Sequence, residues 1–196
     1  MITATHSILD AIGNTPLVEL RKVVPPGLAR IVAKLEWANP TGSMKDRMAK
    51  AVIERAEADG RLRPGGTVVE YTAGTTGISL ALVCAAKGYA LEIVFSDAFS
   101  LEKRRTMQAF GAHITDVLSD NKNINEKLIR TLMSTAEEIS LRPGHWYCDQ
   151  LNNHDGIKGY LPLGDELWQQ TGGQMEVLRK NHAIGDVQTD TVAAIG

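Results

Sequence analysis

Apolar residues along this chain recur with two periods, and the two periods alternate. Short runs rich in β-branched and large apolar residues, at 67–70, 91–95 and 113–117, predict β-strands. Between them the spacing is helical. Met48, Ala51, Val52 and Ala56 fall on one helical face, so a helix is expected from about Ser43, with Gly60 and Pro64 supplying its stop. Further helices are expected over 78–87, closed by Gly88, over 101–110, closed by Gly111, and over 125–139 before the Arg142, Pro143, Gly144 break. Upstream, 16–20 and 29–36 read as strands joined by a turn at Pro25, Pro26 and Gly27. Downstream, 163–170 is helical up to Gly172 and Gly173, and 174–196 is weakly patterned, with 187–195 a marginal strand. Strand and helix in regular succession predict right-handed crossovers and an α/β fold, a parallel sheet with helices on both faces.

Composition narrows the partners. At 196 residues, with 43% hydrophobic and 22% charged, the chain can bury a core of one domain or one domain and part of a second. A formal net charge of -2 without a long basic run marks neither a nucleic-acid surface nor an anionic membrane surface, which leaves small molecules. No stretch reaches the roughly twenty apolar residues of a membrane span, and the N-terminus lacks the basic start and apolar core of a signal peptide. The cytoplasm is the expected compartment. Cys84 and Cys148 are far apart and the histidines scattered, so neither a disulfide framework nor a metal site is expected.

Two segments carry candidate chemistry, each placed where a strand-like run gives way to a helix, the place where open α/β sheets collect ligands. The first is Asn39, Pro40, Thr41, Gly42, Ser43, Met44, Lys45, Asp46, Arg47, which offers the amine of Lys45. The second is Thr72, Ala73, Gly74, Thr75, Thr76, Gly77, a glycine- and hydroxyl-rich helix start that offers an anion cradle. An amine and an anion cradle suit a carbonyl cofactor that forms a Schiff base and a substrate with a carboxylate. Each segment alone has a plainer reading. Lys45 is then a solvated residue of a helix's first turn, and the 72–77 loop an ordinary β-α turn or a nucleotide-phosphate loop, although it matches neither common phosphate motif.

Together with Ile12, Gly13, Asn14, Thr15, Pro16, Leu17, these segments resemble, in order and spacing, the cysteine synthase and cystathionine β-synthase family. The resemblance runs from about residue 8 to 173. It implies the tryptophan-synthase-β-like fold, pyridoxal-phosphate fold type II, with pyridoxal 5'-phosphate as cofactor and β-replacement or β-elimination on an amino acid such as O-acetylserine or serine as activity. It further implies that Lys45 is catalytic and holds the cofactor as a Schiff base, and that Thr75 faces the cofactor. Thr72, Ala73, Gly74 and Thr76 would bind the substrate carboxylate, with Gln150 assisting. The chain departs from the family pattern at Ala73, where serine is usual, and at Thr75, where asparagine is usual.

The same resemblance divides the chain into opening strands of a large domain (1–36), a small cofactor-facing α/β domain (37–150), and a return segment with a divergent tail (151–196). The family's phosphate-holding loop and the serine facing the pyridine nitrogen are not found, so the large domain is expected to be incomplete. Two partner readings follow, a homodimer or a second chain that completes that domain. The rival functional reading is a truncated, non-catalytic remnant with residual cofactor or partner binding.

Overall fold

The computed structural model describes residues 6–22, 24, 25, 27, 28, 30–180 and 191–195. In chain order the elements are β1 (Leu17–Glu19), β2 (Arg30–Lys34), α1 (Lys45–Ala58), β3 (Thr67–Tyr71), α2 (Thr75–Lys87), β4 (Ala90–Ser96) and α3 (Leu101–Ala109). They continue with β5 (His113–Val117), α4 (Glu126–Ser140), β6 (His145–Tyr147), α5 (Asp155–Lys158), α6 (Leu161–Gln170), β7 (Val177–Lys180) and β8 (Thr191–Ile195). Every helix and strand expected between 43 and 170 is present. The pattern misses β6, α5 and β7, which are three or four residues long and therefore too short to display a period. Pro26 and Ala29, at the expected turn and second strand, and 187–190, the start of the last expected strand, lie outside the described residues. No described helix is long and apolar enough to cross a membrane.

The chain forms two compact units, one of Met1–Arg47 with Tyr160–Gly196 and the other of Met48–Gly159. The unit boundaries lie later than residues 36 and 150. Arg47 explains the first displacement, because its guanidinium is bonded to Glu36 and Glu166, both in the first unit.

In the second unit the strands lie in the order β5-β4-β3-β6, all parallel. Leu128, Leu132, Ala136 and Ile139 fall on one stripe of α4 and pack on Val69, Tyr71 and Val94, burying one face of the sheet. The other face carries Ile93 and closes against α2 and α3 at Gly77. A Cβ there would lie 2.4 Å from Met107 Sδ and 2.6 Å from Thr72 Cγ2, so only glycine permits this approach. Helices therefore cover both faces of a parallel sheet, as the alternation predicts.

The first unit is built differently. Its sheet, β1-β2-β8-β7, is antiparallel throughout, with Val32 opposite Ala193 and Val18 opposite Ala33. Antiparallel neighbours need no crossover helix, which is why β1 and β2 follow one another directly. Val32 packs with Leu163 and Leu167 of α6, flanked by Leu17 and Met175.

Leu132 is wholly buried at the centre of the α4 stripe. Leu132→Ala is expected to lower unfolding stability by about 2–5 kcal/mol, measured as a fall in the urea midpoint, whereas Leu141→Ala, at a side chain 84% exposed, should leave the midpoint near that of the parent.

Candidate functional site

Lys45 is the first residue of α1, and the helix start is fixed by the residues before it. Gly42 adopts φ 77°, a left-handed turn. Ser43 Oγ accepts the Lys45 N–H at 3.1 Å, and the Asp46 carboxylate accepts both the N–H and the hydroxyl of Thr41. An acid in the first turn also favours the positive end of the helix dipole. The Lys45 side chain is half-buried, with Nζ 6.0 Å from the centre of the Tyr160 ring.

Two residues on, Arg47 enters a buried cluster of four charges. Its Nε and Nη2 donate to the two oxygens of Glu36 at 2.8 and 2.9 Å, and its Nη1 and Nη2 to those of Glu166 at 2.7 and 2.9 Å. Planar guanidinium is suited to such paired contacts. Lys34, wholly buried in β2, places Nζ 2.6 Å from Glu166 Oε2 and donates to the Thr15 carbonyl at 2.6 Å and to Gln170 Oε1 at 2.9 Å. Those acceptors account for all three ammonium protons. The Thr15 hydroxyl and Asn39 Nδ2 also donate to Glu36, and the Asn14 N–H to Glu166. Burial alone would raise the Glu166 pKa, but the bonds from Arg47, Lys34 and Asn14 outweigh it and hold the carboxyl at about 2. Glu36 is lowered in the same way, burial being outweighed by Arg47, Thr15 and Asn39.

The 72–77 loop lies in the second unit, between β3 and α2. Its last residues are helix rather than loop, since α2 starts at Thr75. Thr72 is buried, and its Oγ1 accepts the Gly74 N–H at 3.0 Å, folding the turn. Gly74 precedes the helix with no capping side chain, so the first-turn N–H groups gain no bond from that position. A Cβ on Gly74 would lie 2.2 Å from Lys103 Cδ, so the lysine stem occupies the space a side chain would take. In the basic run at 103–105, Arg104 pairs with Asp116 and the Lys103 stem covers the loop. Ala73 is exposed, Thr75 half-buried and Thr76 buried.

Gln150, 74 residues away in sequence, is brought to this loop: its Oε1 accepts the Thr76 hydroxyl at 2.6 Å and its Nε2 donates to the Tyr71 carbonyl at 3.2 Å. The structure thus gathers Thr72, Gly74, Thr76 and Gln150 within one unit, with Ala73 and Thr75 on the same loop, while Lys45 belongs to the other unit. Sequence reasoning missed Glu70. Its side chain is fully buried, Oε1 accepting the Tyr71 N–H at 3.0 Å and Oε2 the Gln150 N–H at 2.9 Å, with the Cys148 thiol also bonded to it. Burial raises its pKa to about 8; the hydrogen bonds offset this in part. The available signal was a lone acid inside the strand Thr-Val-Val-Glu-Tyr of a sheet covered on both faces. Among the described residues no group of three or more His, Cys, Asp or Glu side chains could hold a metal ion.

A parallel α/β unit with a hydroxyl-rich loop at a helix start, joined in one chain to a lysine held at another helix start, defines a class that comparison with known proteins specifies. Residues 8–180 match the family described as pyridoxal-phosphate dependent enzyme, and the chain belongs to that family. It is 39% identical over 167 residues to cysteine synthase B of Escherichia coli, covering 85% of this chain and 53% of that protein. With cysteine synthase of Staphylococcus aureus it shares 40% over 169 residues, 86% of this chain and 53% of the relative. Among solved structures it is similar to O-acetylserine sulfhydrylase isoform 3 of Entamoeba histolytica, with a TM-score of 0.78 and 36% identity, covering 89% of this chain and 52% of that one. O-ureido-L-serine synthase matches with a TM-score of 0.76 and 34% identity over 87% of this chain and 52% of its own. The chain thus spans about half the length of the relatives it matches, and its fold is that of pyridoxal-phosphate fold type II.

The charge cluster makes a signed prediction. Glu166 has a folded pKa of about 2 against 4.5 for a free carboxyl, so its stabilisation is complete above pH 4.5 and is lost as pH falls towards 2. Urea unfolding of the parent and Glu166→Gln should show a stability gap that narrows steadily across that window. Arg47→Met, which leaves two buried carboxylates facing one another, should cost about 3–5 kcal/mol at neutral pH. An unchanged midpoint in Arg47→Met would contradict this account of the cluster.

Proposed function

We propose that this protein acts in amino-acid β-replacement of the cysteine synthase kind, exchanging the β-substituent of a substrate such as O-acetylserine or serine for a sulfur nucleophile. The observation that carries the reading is the anion cradle at the start of α2, a turn folded by Thr72 and tied through Thr76 to Gln150. Relatives named cysteine synthase, about 40% identical over most of this chain, support it.

The residues present suit the aldehyde end of the cofactor the family uses. The first unit offers a primary amine at a fixed helix start, and the second unit offers a half-buried hydroxyl at Thr75 and an uncapped helix start after Gly74. Pyridoxal phosphate, when bound, would supply an aldehyde for the amine and a ring that withdraws electrons from the substrate Cα. Lys45 is the residue for the aldehyde, and its Nζ is also the base that takes and returns the Cα proton. For Nζ to act so it must first give up its ammonium proton. First-turn N–H groups of α2, with Thr72, Ala73, Gly74 and Thr76, hold the substrate carboxylate, aided by the helix dipole. Gln150 fixes the Thr76 hydroxyl, and the Thr75 hydroxyl donates towards the cofactor.

In the same reading, 37–150 is the cofactor-facing part, and 1–36 and 151–196 are parts of a larger domain. A second copy or a second chain extends that domain, and the protein works in the cytoplasm.

The test has two parts. Incubation with pyridoxal phosphate, borohydride reduction and peptide mapping should label Lys45 well above Lys34, Lys50 and Lys87, with the label lost in Lys45→Ala. Purified protein given O-acetylserine and sulfide should then form cysteine, at least about a hundredfold faster than Lys45→Ala, since removal of a general base costs roughly that much or more. Labelling spread evenly over the lysines would sink the role of Lys45. Specific labelling without turnover would favour the remnant reading.

A further inference from the structure

We propose that Glu70 is a positioning residue for the 72–77 loop, acting through Gln150: its buried carboxyl fixes the Gln150 backbone, and Gln150 in turn fixes the Thr76 hydroxyl. The proposal rests on the reading of that loop as the binder of the substrate carboxylate.

Gln150 is held at three points. Its N–H donates to Glu70 Oε2 at 2.9 Å, its Nε2 to the Tyr71 carbonyl at 3.2 Å, and its Oε1 accepts from Thr76 Oγ1 at 2.6 Å. The first point determines the other two. Gln150 follows Asp149, a non-glycine residue at φ 49°, a conformation that persists only where surrounding bonds impose it. The Glu70 carboxyl supplies such a bond on one side of the peptide, and the Asn152 and Asn153 N–H groups bond the Asp149 carbonyl on the other. Glu70 is also tied to β3 itself, because Oε1 accepts the N–H of Tyr71, the residue whose carbonyl takes Gln150 Nε2. One carboxyl therefore sets the relative position of the end of β3 and of Gln150.

A side-chain amide cannot do the same. An amide at position 70 has one acceptor oxygen, and two backbone N–H groups need one each. Either Tyr71 or Gln150 would face an NH2 group and lose its partner, a loss that is costly in a buried place. Relaxation of the Gln150 peptide would then move its side chain and release the Thr76 hydroxyl, and displacements near 1 Å in a binding constellation are enough to lower its performance by orders of magnitude. Glu70 touches no ligand in this scheme.

The experiment uses the whole chain loaded with pyridoxal phosphate and L-alanine as the probe, an amino acid with a carboxylate but no β-leaving group, so that binding is read without reaction. Glu70→Gln, Gln150→Ala and the double variant are titrated with L-alanine by cofactor absorbance, and amide hydrogen exchange is followed at Gln150 and Thr76. Each single variant should bind L-alanine roughly tenfold or more weakly, as expected for a lost hydrogen bond. The double variant should be no weaker than Gln150→Ala alone, because Glu70 has nothing left to position. Exchange at Gln150 and Thr76 should quicken in Glu70→Gln while amides of β4 keep their rates. Multiplied losses in the double variant, or unchanged exchange at Gln150, would overturn the proposal. Glu70→Asp, which keeps the carboxyl but withdraws it by one methylene, should show the same pattern and serves where Glu70→Gln does not fold. If Gln150→Ala binds L-alanine as the parent does, the carboxylate-binding reading of the loop fails, and the exchange rates still decide whether Glu70 positions Gln150.

Discussion

Arg47 holds the first unit together. It joins Glu36, just after β2, to Glu166 on α6, while Lys34 joins the same α6 carboxylate to the carbonyl of Thr15. Burying four charges is expensive, and such a cluster persists only when its signs cancel and its donors and acceptors are matched. Both conditions hold, with two cations against two carboxylates and Thr15, Asn14, Asn39 and Gln170 completing the bonds. What the cluster supplies beyond stability is registry. Apolar packing alone, as between Val32 and Leu167, tolerates small slides, whereas paired guanidinium contacts to two carboxylates fix a plane and two directions. Because Arg47 lies in the first turn of α1, the position of Lys45 within the unit is set by that plane.

That cluster was also the part of the chain least legible in sequence. Lys34 ends a short strand and Glu36 follows it, where charged residues read as a solvated face, and Glu166 lies in a helix that carries other polar residues. Nothing local marks them as partners, for Arg47 and Glu166 are 119 residues apart. Strong periods were another matter. The α4 stripe was readable because its buried positions, Leu128, Leu132, Ala136 and Ile139, recur at helical spacing. Lys45 and the 72–77 loop were readable because special residue types crowd into a few positions. Glu70 lay between these cases, the one charged residue in the run Thr-Val-Val-Glu-Tyr, and periodicity has no place for it.

The two buried carboxyl systems compensate burial in opposite ways. Glu166 is met by cations, and their bonds more than cancel its desolvation, so it stays ionised down to about pH 2. Glu70 is met by two backbone N–H groups and a thiol, which stabilise the anion less than water would, and its pKa rises to about 8. Opposite pH dependences follow. Stability from Glu166 disappears in acid, whereas ionising Glu70 works against the fold, so its contribution is complete below pH 4.5 and is lost as pH rises towards 8.

This difference matches what each carboxyl has to hold. Arg47 must be kept charged and immobile, and a pair of permanent anions does this at any pH a cell reaches. At Glu70 the things held are two peptide N–H groups, of Tyr71 and Gln150, each of which needs an acceptor oxygen, and a carboxyl has two oxygens with lone pairs in either protonation state. A cation near Glu70 would lower its pKa, but it would also place a positive charge beside the end of β3; under the proposed role of the 72–77 loop it would compete with the α2 start for the substrate carboxylate. Leaving Glu70 without that charge keeps the field at the 72–77 loop to the helix dipole and Lys103. The raised pKa of Glu70 thus follows from burial without a cation, while its two bonds, to Tyr71 and Gln150, fix the geometry at the end of β3.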